Sequence, residues 1–231
     1  MFRKYPRLIF HTADFRFDIY LLRKVSRFSL VSALQMCNLY IGKLLVQGTV
    51  NTLGTDAIAA YTAAVRIEGF ANSFGDSGCT AMSIFIGQNT GADERQRIKQ
   101  GYCTAQIMLF ILGVFMSAMM IIGAVPALTL VLPENSGASI IHAVGYLRFV
   151  ACFYLFNFWG SGLSGYFHGR GKVNLPVIGT TIHITMRVII AHFLAPVLGL
   201  EAVAVAAGIG WITVVSLWLL FRRKDFQQLS V

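Results

Sequence analysis

The sequence predicts an all-α integral membrane protein, built as a bundle of six transmembrane helices. Hydrophobic residues make up 56% of the 231 residues and charged residues only 13%, whereas a soluble domain carries roughly 25% charged residues. The apolar residues fall into six stretches, each about as long as the roughly 20 residues that a spanning helix needs. Basic residues are concentrated in alternate connections between these stretches. Together the three observations exclude an ordinary soluble domain.

Polar or charged segments separate the spans and flank them at both ends of the chain. Residues 1–27 form a basic arm, in which Asp14 could cap an interfacial helix with Phe15, Ile19 and Leu22 on its apolar face. A solvated arm without that helix is the alternative. Residues 222–231 are the predicted cytoplasmic tail, and residues 28–221 are the transmembrane part. The predicted spans cover about 28–50, 57–87, 101–125, 138–164, 175–196 and 201–221.

The distribution of positive charge predicts the topology. Of the 19 Lys and Arg residues, 15 lie in the arm, in residues 88–100 and 165–174, and in the tail. The three alternate connections contain none. The positive-inside rule therefore places both termini in the cytoplasm, with the protein in the cell membrane. A net charge of +9 distributed in this way does not indicate a nucleic-acid partner.

The second span carries a polar stripe that points to function. Glu68, Asn72 and Asp76 lie at i, i+4 and i+8, so each is rotated by only about 40° from the one before. Thr80 and Ser83 extend the stripe. Both carboxylates lie within about 6 Å of the segment's midpoint, a depth at which ionisable groups usually face a bundle interior or a water-filled path. We interpret this helix as the wall of a transport cavity, with Glu68 and Asp76 as candidates for binding a proton or a cation.

The carboxylates could instead form structural ion pairs with arginines in the spans. The candidate charge partners are Arg66, Arg148 and Arg187. Arg66 is about 200° around the helix from Glu68 and does not share its face. Matched depth in the membrane favours Arg148 as the partner of Asp76.

Further polar and aromatic residues are candidates for the cavity wall. Amides in the spans could line the cavity or could join helices by hydrogen bonds; they are Gln35, Asn38, Gln47 and Asn72. Tyr154 and Phe158 suit planar organic cations through cation–π contact, and an aromatic belt at the membrane interface is their alternative.

No motif for catalysis or for a resident cofactor is present in the sequence. The four cysteines stand singly in apolar context, with no CxxC or His–Cys spacing. The GRGK sequence at 169–172 follows no predicted strand, so it does not indicate a phosphate loop. A membrane-embedded enzyme is therefore weakly supported, and a coupling ion, H⁺ or Na⁺, is the one bound species expected besides substrate and lipid.

Several stretches resemble the C-terminal half of the multidrug and toxic compound extrusion (MATE) transporters. The specific block reads LVQG at 45–48, VNTLG at 50–54, DAIAAY at 56–61, RIE at 66–68 and IGQNTGA at 86–92, with Asp76 within it. Weaker matches are GRG at 169–171, Arg187 and GLEAV at 199–203. The resemblance implies a two-lobe fold with a central cavity that opens alternately to either side. It also implies export of organic cations in exchange for H⁺ or Na⁺.

The chain departs from this family in three ways. It contains one six-helix lobe, Val31 stands where a proline often begins the first helix, and the first and fourth spans carry Lys43 and Arg148 where some branches carry acidic residues. The identity of the coupling ion is therefore not implied. A lone lobe would expose the polar stripe, so we expect either a second lobe, as a dimer mate or a separate half, or an inactive fragment. The chain could also be a lipid-linked oligosaccharide flippase of the same superfamily, or a partner subunit that does not itself transport.

Overall fold

A computed structural model describes residues 17–132 and 137–229 of the chain. Within those ranges the chain is helical throughout, and short turns join the helices. The helices are α1 (Ile19–Asn51), α2 (Thr55–Gly91), α3 (Arg95–Thr129), α4 (Gly137–Ala151), α5 (Tyr154–Gly169), α6 (Asn174–Leu198) and α7 (Glu201–Gln228).

Helix α1 joins the predicted arm to the first predicted span. Its N-cap is Asp18, whose carboxylate accepts hydrogen bonds from the backbone N–H groups of Tyr20 and Leu21 at 2.8 and 3.2 Å. The predicted cap, Asp14, lies outside the described residues. From Ile19 the helix continues to Asn51 without a break, so the part of the arm that the structure describes is not a separate interfacial helix.

The fourth predicted span is divided into two helices. Helices α4 and α5 meet at an angle of 52° across Cys152 and Phe153. The bend places α5 against α2, where two glycines allow close approach of the backbones. A Cβ atom on Gly165 would collide with the backbone carbonyl of Cys79, and one on Gly169 would lie 2.7 Å from the Ser83 carbonyl. Helix α5 therefore lies at the centre of the bundle.

Within the described ranges, four helices are long and apolar enough to cross a membrane, namely α1, α3, α6 and α7, and the bent α4–α5 pair makes a fifth candidate. Helix α2 does not meet the same criterion. The reason lies in its composition, because its central turns contain Arg66, Glu68 and Asp76. The six-span count remains a prediction.

Two helices extend well beyond the predicted spans. Helix α3 continues through Pro126, which was predicted to lie in a connection. Helix α7 continues through most of the predicted tail, where Asp225 is buried and accepts hydrogen bonds from Tyr166, Arg170 and Lys172. These contacts stabilise the last turns of α7 against the α5–α6 turn.

The basic segments that the structure describes meet at one end of the bundle. Arg170 in the α5–α6 turn contacts Asp225 of α7 and also Thr90 at the end of α2, with an Nη1 to Oγ1 distance of 3.4 Å. The guanidinium of Arg222 stacks on the Tyr102 ring near the start of α3, 5.2 Å from its centroid. The start of α1 lies beside the same turn, because both line one pocket. Positive charge is therefore segregated in space as well as along the sequence.

Candidate functional site

A partly open cavity of about 620 Å³ lies between α1, α2, α5, α6 and α7. Its wall combines apolar side chains with polar and charged groups from four of these helices. The predicted site residues that line it are Gln35, Gln47, Glu68, Asn72, Asp76 and Arg187.

The polar stripe of α2 forms one wall of this cavity. Glu68, Asn72 and Asp76 all line it, and so do Thr80 and Ser83. These five residues share one face because α2 is a regular helix across the whole stripe. The structure therefore brings together the residues that helical spacing selected.

Glu68 is the most buried charged group on this wall, with only 6% of its surface exposed. One carboxylate oxygen, Oε1, has no hydrogen-bond partner among the described residues. Tyr146, Arg187 and Lys43 are the groups that act on the carboxylate electrostatically. A buried carboxylate is costly unless its charge is paired and its oxygens are hydrogen-bonded, so this site can bind a proton or a cation at its free oxygen.

Arg187 reaches the Glu68 site through a tyrosine. Its Nη2 lies 3.5 Å from the Tyr146 hydroxyl, and its own Nε has no partner among the residues described. Tyr146 therefore contacts Arg187 and also acts on the Glu68 carboxylate. This arrangement leaves both Glu68 and Arg187 with unused hydrogen-bonding capacity in the same buried region.

Lys43 of α1 is the cation that acts electrostatically on Asp76, and no ion pair joins Asp76 to the predicted Arg148 among the described residues. Both Lys43 and Asp76 line the cavity, whereas Arg148 is exposed on α4 and does not line it. Matched depth indicated the wrong partner, because depth along a helix does not specify which side the residue faces. Arg66 is likewise exposed, on a different face of α2 from Glu68.

The predicted amide residues make hydrogen bonds, and three of them also line the cavity. Asn157 Nδ2 donates to Asn72 Oδ1 at 2.7 Å, and Gln35 Nε2 donates to Thr180 Oγ1 at 3.1 Å. Gln47 Nε2 donates within its own helix to Asn51 at 3.0 Å. Asn38, in contrast, donates to Thr181 Oγ1 at 3.0 Å and does not line the cavity.

The two predicted aromatic contacts lie in the core. Tyr154 and Phe158 are both fully buried, and neither lines the cavity. The Tyr154 hydroxyl donates to the backbone carbonyl of Glu68 at 3.4 Å. Tyr154 therefore supports the turn of α2 that carries Glu68 and does not face the cavity.

The cavity wall also contains polar and aromatic residues that were not among the predicted site residues. Examples are Lys43, Asn157, His183 and Trp211. The spacing of four between Lys43 and Gln47 was a usable signal, because it places both on one face of α1. The ring of His183 stacks on Trp211 with centroids 5.8 Å apart and planes at 5°, a pairing of α6 with α7 that no single-helix pattern could reveal.

In the parts of the chain that the structure describes, no group of three or more His, Cys, Asp or Glu side chains could hold a metal ion. The polar groups that line the cavity include the carboxylates Glu68 and Asp76, the cations Lys43 and Arg187, and several amides. A bundle of apolar helices around a charged cavity is the arrangement of a membrane transporter.

The family model described as MatE matches residues 32–194. The chain therefore belongs to the MatE family, whose members are transporters. No match to the chain was found among curated proteins.

Solved structures agree with this fold. The chain is 20% identical, with a TM-score of 0.89, to an outward-facing multidrug resistance MATE family transporter of the MOP superfamily, covering 100% of this chain and 52% of that one. It is also 20% identical, with a TM-score of 0.88, to a MOP superfamily transporter from Pyrococcus furiosus Vc1 (DSM3638) whose binding pocket has reverse polarity. This match covers 100% of the present chain and 53% of that transporter. A third similar structure is MATE in complex with MaL6, with a TM-score of 0.88 and 20% identity. This match covers 99% of the present chain and 53% of that one. The chain thus spans about half the length of these transporters.

Proposed function

We propose that this chain is one lobe of an efflux antiporter that exports organic cations in exchange for H⁺ or Na⁺ by alternating access. In this proposal the lobe contributes six spans, has both termini in the cytoplasm and acts in the cell membrane. The observation that supports it most is the unpaired carboxylate oxygen of Glu68, buried in a cavity that also contains Asp76.

The two carboxylates offer a physical basis for exchange. Glu68 and Asp76 are two helical turns apart on α2, about 12 Å along its axis, on the wall of one cavity. A proton or Na⁺ at either carboxylate neutralises the charge that would attract an organic cation. Ion and substrate therefore compete for the same negative charge, which is the requirement for antiport.

The neighbouring cations would tune this competition. Lys43 acts on both carboxylates, and Arg187 acts on Glu68 beside Tyr146. Movement of α1 or α6 relative to α2 would change the distances from these cations to the carboxylates. Such a movement would couple the opening of the cavity to release or uptake of the ion.

A second lobe completes the proposed transporter. The solved transporters are about twice as long as this chain, and the polar cavity wall would otherwise meet lipid. A charged side chain at the membrane centre costs roughly 2.5–3.5 kcal/mol on insertion scales. The counterpart is either a second copy of this chain or a separate half.

Transport of an anionic lipid-linked oligosaccharide is the second candidate. It is favoured by Lys43 and Arg187, two cations on the same cavity wall, and by the similarity to a transporter whose binding pocket has reverse polarity. The organic-cation proposal takes precedence because Glu68 is more buried than either cation and has a free oxygen.

Transport in liposomes tests the proposal. The chain is reconstituted alone, and together with the product of any adjacent reading frame, with ethidium as the substrate and an imposed pH or Na⁺ gradient. We expect the wild-type protein to show gradient-driven flux of ethidium. Glu68→Gln and Asp76→Asn should each reduce this flux at least about tenfold, because each substitution removes one charge-assisted contact. Asp56→Asn is the matched control, because Asp56 lies on the same helix, accepts from Ser139 at 3.1 Å and is outside the cavity.

Two results would contradict this proposal. Full activity of both carboxamide variants would show that the stripe does not couple transport. Movement of a fluorescent lipid-linked oligosaccharide that depends on Lys43 and Arg187, without ethidium flux, would favour the flippase.

A further inference from the structure

A second pocket, of about 470 Å³, lies outside the transport cavity, at the basic end of the bundle. It is formed by the first turns of α1 and by the turn that joins α5 to α6. Its basic lining residues are Arg23, Arg27 and Lys172, and its aromatic ones are Tyr20 and Phe28. Among the residues that the structure describes, no carboxylate lines it.

The two arginines of this pocket have no counter-charge within the described ranges, since the ion pairs there involve neither of them. Asp18, the nearest acid on the same helix, has its carboxylate directed to the backbone N–H groups of Tyr20 and Leu21. Lys172 is paired with Asp225. The net charge available to a ligand therefore comes mainly from Arg23 and Arg27.

The start of α6 adds to the positive potential. Residues Gly171 to Asn174 line the pocket, and α6 begins at Asn174 without a side-chain cap. Gly171 has a φ of +72°, which glycine adopts readily. The N–H groups of Gly171, Lys172 and Leu175 already donate to backbone carbonyls. Pro176 has no N–H, so the start of α6 contributes mainly through its dipole, which favours an anion at this position.

The position of the pocket selects the kind of anion. It lies where α1 and α6 begin, at the end of the bundle where the basic segments gather, so it is at the depth of lipid headgroups. Exposed apolar side chains of α1 continue from it along the bundle surface, including Leu30, Leu34 and Ile41. A ligand with a phosphate head and acyl chains would match both the charge of the pocket and the apolar surface beside it.

We propose that this pocket binds the phosphodiester headgroup of an anionic phospholipid, with Arg23 and Arg27 as the phosphate ligands. Lys172 and the first turn of α6 supply further positive potential, and the acyl chains lie along α1. The proposal depends on the membrane setting of the chain and not on what the cavity transports. Basic pockets between transmembrane helices are known to select anionic headgroups.

Lipid binding to the purified full chain tests this assignment. Short-chain phosphatidylglycerol is titrated into the detergent-solubilised protein and binding is followed by native mass spectrometry, with phosphatidylcholine as the neutral comparison. We expect the double variant Arg23→Gln/Arg27→Gln to weaken phosphatidylglycerol binding about 25-fold, because each basic residue contributes a factor of about five. Arg23→Lys/Arg27→Lys, which keeps the charge, should retain most of the affinity and shows that the fold tolerates substitution here.

A matched control separates this pocket from general surface charge. Arg97→Gln/Arg223→Gln removes two exposed arginines at the same end of the bundle but outside the pocket, and we expect less than a threefold effect. An equal loss in this control would overturn the assignment. Binding of phosphatidylcholine as tight as that of phosphatidylglycerol would also overturn it. Displacement of the lipid by inorganic phosphate at the same concentration would overturn it as well, because it would indicate a site for free phosphate.

Discussion

Two buried carboxylates in this lobe have opposite surroundings. Asp225 is 2% exposed and accepts from three donors, Tyr166, Arg170 and Lys172. Glu68 is 6% exposed, yet its Oε1 has no donor among the described residues. The two carboxylates are therefore both buried but differ in their number of donors, and we expect this number to separate an acid that stabilises the fold from one that can bind an ion.

The difference follows from where each acid lies. Asp225 is at the basic end of the bundle, where the α5–α6 turn supplies two cations to one carboxylate. Glu68 lies on the cavity wall, where Arg187 is also incompletely bonded. The first arrangement stabilises the fold, and the second leaves binding capacity for an ion.

The largest stability effect should come from removing Asp225. Asp225→Ala leaves Arg170 and Tyr166 without their acceptor, and Arg170 is 17% exposed. Loss of one partner of a buried ion pair costs about 3 kcal/mol. Reversible unfolding in mixed micelles measures this change, and a free energy of unfolding within about 1 kcal/mol of wild type would refute the structural role.

Removing one donor should cost less than removing the acceptor. Tyr166→Phe deletes the hydroxyl that donates to Asp225 Oδ2 and keeps the ring packing against Tyr102. We expect a loss of about 1.5 kcal/mol, as for a hydrogen bond to a charged group. Tyr154→Phe is the matched control, since its hydroxyl donates to a neutral backbone carbonyl at 3.4 Å, and it should cost less.

Glu68 should behave in the opposite way from Asp225 in the same unfolding measurement. Glu68→Gln removes an incompletely bonded buried charge, so we expect a change of less than about 1 kcal/mol, or a gain in stability. The same substitution should nevertheless abolish gradient-driven transport. A large loss of stability would show that Glu68 is a structural acid, and the contrast with Asp225 would no longer hold.

The smallest effect belongs to the exposed edge of the Asp225 cluster. The Lys172 side chain is 41% exposed, and solvent screens its attraction to the carboxylate. Lys172→Gln should therefore lower the free energy of unfolding by only about 0.5 kcal/mol. A cost equal to that of Tyr166→Phe would mean that the ammonium contributes as much as the buried hydroxyl.

Helical spacing predicted which residues of α2 share one face, but it did not predict their partners. The i, i+4, i+8 pattern correctly placed Glu68, Asn72 and Asp76 on one face of α2, and all three line the cavity. The partner of Asp76 was mispredicted as Arg148 because only depth could be compared between helices. Lys43 is the cation that acts on it electrostatically, from a helix whose orientation depends on packing.

The sequence by itself determined the membrane class, the family and the charged stripe, because composition, motifs and periodicity are properties of one chain segment at a time. Tertiary structure decided that the fourth span bends by 52°, that the tail residue Asp225 is buried, and that Tyr154 and Phe158 face the core. Those outcomes depend on how neighbouring helix surfaces fit together. Gly165 and Gly169 illustrate this, since only the packed bundle shows which backbone of α2 they must approach.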